Sequence, residues 1–250
     1  MYIQDTWEIK DTVEYEIKYL GQYGEKGGKR NRKQNVTPEQ IKKQNQKNRE
    51  KRMRRLIKAN FDKGDLWLTL KYPKGTRKET SEVKADLRKF IGTLRRYYKK
   101  EDKELKFIYR MEIGKQGGIH IHMIIPRIKL ELIQKAWTHG RINYEPLDGN
   151  DYKSLAEYIV KQPTEEVMDQ LSFIPEIDRK AYVKYSTSRN LIRPVPKRKE
   201  FKRKTLRKML LYGPEATEGY VIDKSSIVQG TNPITGMNYI YYTERRIHDG

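Results

Sequence analysis

The chain has 250 residues, no cysteine and a net charge of +21. Disulfides and thiolate metal sites are therefore excluded, and no apolar run approaches the roughly 18 residues that a membrane span needs. The opening MYIQDTWEIKD lacks the basic-then-apolar order of a secretory signal, so the expectation is a cytoplasmic protein with no membrane partner. The charge is concentrated. Residues 26–58 hold 14 Lys and Arg for a net +12, and residues 193–208 hold nine for a net +8. A near-neutral body with two basic segments points to a polyanionic partner, nucleic acid above all, because each neutralised phosphate releases counterions.

In chain order, residues 1–21 read as either a short strand or a helix. Residues 22–35, GQYGEKGGKRNRKQ, read as a glycine-rich basic loop. Residues 38–60 read as a polar basic helix, with Thr37 as its N-cap and Pro38 at its first position. DLWLTLKYP at 65–73 alternates with period two, Leu66, Leu68 and Leu70 on one face and Trp67, Thr69 and Lys71 on the other. Residues 80–100 carry Val83, Leu87, Phe90, Ile91 and Leu94 at helical spacing, with Thr80 or Ser81 as cap. KFIYRMEI (106–113) and IHIHMII (119–125) both alternate, and GKQGG between them makes a hairpin.

A helix at 128–137 and a strand at 141–147 come next. A helix at 151–162 follows, capped by Asn150 or Asp151 and stopped by Pro163. Residues 164–192 give no clear element. GYVIDKSSIV and MNYIYYTERR around QGTNPITG read as a second hairpin. The sum is an α+β fold, an antiparallel β-sheet with flanking helices. Its expected divisions are a basic N-terminal extension at 1–61, a central domain at 62–195, and a basic segment plus hairpin at 196–250.

The histidines carry the chemistry. If Ile113 pairs with Ile119, Glu112 lies opposite His120 and Arg110 opposite His122, all on one face. Opposite Cβ atoms lie about 5 Å apart, so Glu112, His120 and His122 come within reach of one cation. Two imidazoles and a carboxylate suit Mn²⁺, Fe²⁺ or Zn²⁺ better than Mg²⁺. A His-x-His pair also serves as the polar face of a half-buried strand, and the spacing alone leaves both readings open. On the 151–162 helix, Tyr158 and Lys161 share a face. Alone, Tyr158 reads as a core aromatic. Beside a metal-bound phosphate and an ammonium it reads as a nucleophile.

Taken together, DLWLTLKYP, then Glu112 eight residues before His120-Ile121-His122, then EYIVKQ, resemble the HUH endonucleases. More narrowly they resemble the single-tyrosine rolling-circle replication initiators, or Rep proteins, of bacterial plasmids and phages. YSTSRNLIRPV at 185–195 is similar to a stretch that follows the tyrosine helix in some of them. The resemblance covers about residues 62–195. It implies site-specific cleavage of single-stranded DNA, at an origin hairpin in a bacterial host cell. His120, His122 and Glu112 would be ligands of a divalent metal ion, Mn²⁺ or Mg²⁺. Tyr158 would attack phosphorus to leave a 5′-phosphotyrosyl link and a free 3′-OH, and Lys161 would stabilise the phosphate. No G-x-x-x-x-G-K-[ST] loop is present, so unwinding would fall to a host helicase. A mobilisation relaxase or single-tyrosine transposase shares these marks. A non-catalytic nucleic-acid-binding protein with structural histidines is the alternative of another class.

Overall fold

In a computed structural model of the chain, the residues described are 1–20, 37–114, 117–149, 151–201, 206–232 and 236–247. The expected basic loop at 22–35 and the proposed cap Asn150 lie outside them. Chain order runs β1 (Tyr2–Ile9), β2 (Thr12–Tyr19), α1 (Pro38–Asn60), β3 (Leu66–Lys71) and α2 (Thr80–Lys100). β4 (Ile108–Ile113), β5 (Ile119–Ile125), α3 (Leu130–Ala136), β6 (Arg141–Pro146) and α4 (Lys153–Val160) follow. Last come α5 (Glu165–Ser172), α6 (Glu176–Val183), β7 (Tyr185–Thr187), β8 (Lys197–Phe201), α7 (Arg207–Tyr212), β9 (Tyr220–Thr231) and β10 (Asn238–Arg246). The strands form two antiparallel five-stranded sheets, so the α+β expectation holds.

The units do not divide where the sequence suggests. Met1–Asn45 joins Arg193–Gly250 in one compact unit, and Gln46–Ile192 forms the other. The reason is pairing. β1 pairs with β8, and β2 pairs with β10, so the two ends of the chain share a sheet of order β8-β1-β2-β10-β9. The undecided first residues are thus a hairpin, turned at Lys10, whose φ of 51° lies in the left-handed region. In this unit Leu206, just before α7, packs with Tyr2, Ile17, Ile240 and Tyr242.

The central sheet has the order β6-β3-β5-β4-β7. One face carries Leu66, Leu68, Leu70, Ile121 and Met123 and is covered by α2, whose Val83, Leu87, Phe90, Ile91 and Leu94 are all buried. Burial at about 25 cal/mol per Å² stabilises each such side chain by roughly 1.5–3 kcal/mol, enough to fix which face turns inward. The other face carries Ile108 and Ile124 and is covered by α1 and α4. Here the expected extension proves integral: Met53, Leu56 and Ile57 of α1 are core residues. The α1 N-terminus matches expectation, with Gln40 N–H donating to Thr37 Oγ1 at 3.3 Å and Thr37 N–H to Gln40 Oε1 at 3.0 Å. The cap of α2 does not. Glu79 takes that place, its N–H donating to Glu82 Oε2 at 2.9 Å, while Thr80 Oγ1 is hydrogen-bonded to the Tyr182 hydroxyl. The stretch without clear elements holds α5 and α6, then β7, which pairs with the edge of β4. No helix among the described residues is long and apolar enough to cross a membrane.

Buried Asp86 on α2 ties down both ends of the loop that follows β3. It accepts from Tyr72 Oη at 3.0 Å and from Lys78 Nζ at 2.6 Å, with His139 Nε2 at 3.4 Å. Burial raises its pKa, but the bonds from Lys78 and Tyr72 and the charges of His139 and Lys78 outweigh that, and the carboxyl is held below its usual range. A depressed pKa stabilises the fold above the ordinary carboxylate value near 4, and the effect fades as pH falls through the lowered one. Asp86→Asn is therefore expected to lower the unfolding free energy by about 1.5–3 kcal/mol at pH 7. Urea titrations of variant and parent should converge as the pH is taken below 4.

Candidate functional site

The site lies on the α1/α4 face of the central sheet. The pairing of β4 with β5 is the register expected from the sequence, with Ile113 opposite Ile119, Glu112 opposite His120 and Arg110 opposite His122. The turn closes with Gly114 N–H donating to Gly118 O at 2.8 Å; Lys115 and Gln116 are outside the described residues. β3 lies against β5 with Thr69 opposite His122 and Lys71 opposite His120. Strand pleat alone puts all these side chains on one face.

α4 brings Tyr158 down onto that face. The helix is shorter than predicted. It ends at Val160, and Lys161 follows with extended backbone. At the other end Tyr152, not Asn150 or Asp151, is the residue at the cap, with φ 58°. A bulky residue there costs on the order of 1–3 kcal/mol. It is held by burial and by its hydroxyl, which donates to Phe61 O at 3.3 Å. Asp151 still contributes, its Oδ1 accepting from Lys153 N–H at 2.9 Å.

Four of the five residues singled out from the sequence meet. Tyr158 Oη donates to Glu112 Oε2 at 2.6 Å and lies 3.0 Å from His122 Nε2. Lys161 Nζ is 2.7 Å from Glu112 Oε1 and 4.1 Å from the centre of the Tyr158 ring. Because the one phenolic proton goes to Glu112, His122 Nε2 must carry its own hydrogen, and Nδ1 then accepts from Thr69 Oγ1 at 3.2 Å. Burial raises the Glu112 pKa, yet bonds from His122, Lys161 and Tyr158 reverse the shift and hold it far below the carboxylate range. Burial, and donation to Glu112, push the Tyr158 phenol well above its normal value. As arranged, the cluster keeps Tyr158 protonated.

His120 is the fifth, and it stands apart. Its ring is 6.3 Å from that of His122 and lies beside Gly114, where an added Cβ would come within 3.3 Å of its Cε1. Burial, Lys71 and His122 lower its pKa, which favours the neutral imidazole that a metal would need. Among the described residues no three His, Asp or Glu side chains are gathered to hold a metal ion. The expected register holds, but Glu112 is drawn towards Lys161 and Tyr158 and does not converge with both imidazoles. The donor set itself fits a divalent cation by its chemistry, with two imidazoles and a carboxylate on one face and Glu112 Oε2 and His122 Nε2 already 3.2 Å apart.

Sequence reasoning missed three partners. Trp67 stacks on His122 at 5.5 Å and meets Tyr158 edge-on at 5.7 Å. Thr69 sets the imidazole as described. Arg110, only 3% exposed, sends Nη1 to the carbonyl oxygens of Ile159 and Lys161, at 2.9 and 2.7 Å, and lies 3.5 Å from Glu112 Oε1 through Nε. It is a buried cation at the negative end of the tyrosine helix, where unpaired carbonyls favour positive charge. The period-two pattern already put Trp67, Thr69 and Arg110 on the histidine face, but not what they would touch. Tyr109 points to the opposite face and packs there.

The central segment is that of a replication-associated protein. Residues 65–163 match the model of the family described as replication-associated protein ORF2, a match consistent with a Rep-type rolling-circle initiator. The matched span runs from β3 through α4 and contains every residue of the cluster. No curated protein and no solved structure matches the chain.

Arg110 predicts a measurable loss. Arg110→Met leaves two helix-end carbonyls and a carboxylate without their cation, and is expected to destabilise the protein by about 3–5 kcal/mol in urea unfolding. Arg110→Lys, a point donor that cannot fork between two carbonyls, should recover only part of it.

Proposed function

We propose that the protein is a rolling-circle replication initiator that nicks single-stranded origin DNA, with Tyr158 as nucleophile. The observation that carries this reading is the meeting of the Tyr158 hydroxyl with Glu112, His122 and the Lys161 ammonium, inside the segment that matches a replication-associated family. A tyrosine is a weak nucleophile at its ordinary pKa near 10. One placed among an imidazole, a carboxylate and an ammonium has the groups needed to lose its proton and to meet a phosphate.

In this reading His120, His122 and Glu112 hold a divalent ion, Mn²⁺ or Mg²⁺. When bound, the ion supplies positive charge that polarises the phosphate and favours the phenolate. Glu112 Oε2 receives the phenolic proton's hydrogen bond before attack. Lys161 lies over the ring, where its charge favours the phenolate and then the charge that develops on the phosphate. Oη forms a bond to phosphorus and the P–O3′ bond breaks, leaving a 5′-phosphotyrosyl link and a 3′-oxygen that takes up a proton. Attack by a 3′-OH on that phosphotyrosine restores the phenol and rejoins a strand, so no nucleotide is consumed. Thr69 and Trp67 hold the His122 ring against rotation, and Arg110 holds the end of the tyrosine helix.

The test is a covalent-adduct assay. The full chain is incubated with Mn²⁺ and labelled single-stranded oligonucleotides tiling its replicon's origin, then run under denaturing conditions. A labelled protein band is expected, absent in Tyr158→Phe and lost on adding EDTA. No band with any oligonucleotide, or a band undiminished in Tyr158→Phe, would overturn the assignment.

A further inference from the structure

Beside the cluster, still within the central unit, lies an open groove of about 800 Å³. Its walls are the end of β3 with the loop after it, the β4–β5 turn and the start of β6. Lys71, Lys74, Arg77 and Arg141 line it, and His120 reaches into it from the site. Among the described residues no carboxylate lines it, and none of the four cations has an ion pair. Four uncompensated charges around one concavity focus a positive potential there.

The groove is held in shape. Tyr72 and Lys78 pin both ends of the loop to Asp86, as described above. Arg77 lies so close over the turn that a Cβ at Gly117 would come within 2.2 Å of its Nη1, at a residue whose φ of +75° already favours glycine. Gly140 (φ +150°) likewise lets β6 approach, since a Cβ there would come within 2.2 Å of Lys71 O. The cations are therefore carried on a fixed frame.

We infer that this groove takes the sugar-phosphate backbone of the DNA strand next to the scissile phosphate, and grips it without reading its bases. Base readout needs flat stacking surfaces or paired donors and acceptors aimed at base edges. Among the described lining residues Tyr72 is the only Phe, Tyr or Trp, and its hydroxyl is already committed to Asp86. None of them is Asn or Gln. Four point and fork cations suit successive phosphates instead. The choice of single-stranded DNA as occupant rests on the proposed nicking activity; the anion-binding, sequence-blind character of the groove does not.

The test separates the two. Binding of a labelled oligo-dT and of a mixed-sequence oligonucleotide is followed by fluorescence anisotropy across a salt series, in EDTA, with the full chain carrying Tyr158→Phe so that nothing is cut. Adding Lys74→Ala, Arg77→Ala and Arg141→Ala together should weaken both oligonucleotides alike. It should also make the log–log salt slope shallower by about 2, at roughly 0.7 for each phosphate no longer neutralised. Removing two remote charges, Lys99→Ala with Lys100→Ala, is the control and should change the slope little. If the triple variant melts early, the exposed single variants Lys74→Ala and Arg141→Ala carry the same comparison, each with a change of about 0.7. An unchanged slope, a change equal to the control's, or a weakening confined to one oligonucleotide would overturn the inference. Failure to see covalent adduct with wild type would leave this result standing and sink only the nicking activity.

Discussion

The site depends on the pairing register of β4 against β5. With Glu112 opposite His120 and Arg110 opposite His122, a carboxylate, two imidazoles and a guanidinium share one side of the sheet. A slip of one residue would exchange them for Met111 and Ile113, placing charges against the α2 core and apolar side chains against Tyr158. The register is specified from both sides. Ile119, Ile121 and Met123 are buried against α2 and α3, and Ile124 against α1 and α4. Packing on one face thus determines which groups meet on the other.

What that register assembles is a set of charges that satisfy one another. Glu112 accepts from Tyr158 and pairs with Lys161, and Arg110 neutralises the end of α4 while lying near the same carboxylate. Buried ions are tolerated only when each finds a partner. The arrangement is therefore one in which removing any member leaves another exposed to its desolvation cost. The same bonds that hold Tyr158 in place also keep its proton on. Under the proposed function, binding of a cation and a phosphate would have to redistribute them.

Much of this was legible in the sequence, and the parts that were not share a physical cause. Period-two alternation at 65–73, 106–113 and 119–125 located three strands and their faces, because burial on one side imposes it. The turn between two of them gave the register. Met53, Leu56 and Ile57 were hidden because the same helix carries many Lys and Arg, and its average polarity masked a narrow apolar stripe. α5 and α6 were missed because they bury little beyond Leu171 and Tyr182. Arg110 could be put on the correct face but not given its partners, since the carbonyls of Ile159 and Lys161 arrive through tertiary packing. Tyr158 and Lys161 were paired by helical spacing, and they do meet, although Lys161 reaches the ring from just beyond the helix end. The convergence of His120 with Glu112 was inferred from Cβ spacing, which fixes reach and not rotamer.

The pairing of the chain's two ends has a consequence for how the molecule is made. The strands and helices of Gln46–Ile192 are contiguous, so that unit is complete while later residues are still being synthesised. The other sheet is not. β1 and β2 emerge first, yet Ile17 meets Ile240 and Ile3 meets Glu200. Pairings of such sequence separation carry a loop-closure entropy that local hairpins avoid, and they form slowly. Until β8 and β10 arrive, both edges of the β1–β2 hairpin present unpaired backbone donors and acceptors, the kind of surface that recruits stray strands. The acidic side chains Asp5, Glu8, Glu14 and Glu16 on that hairpin put like charge along the open edges, which disfavours association of one nascent chain with another.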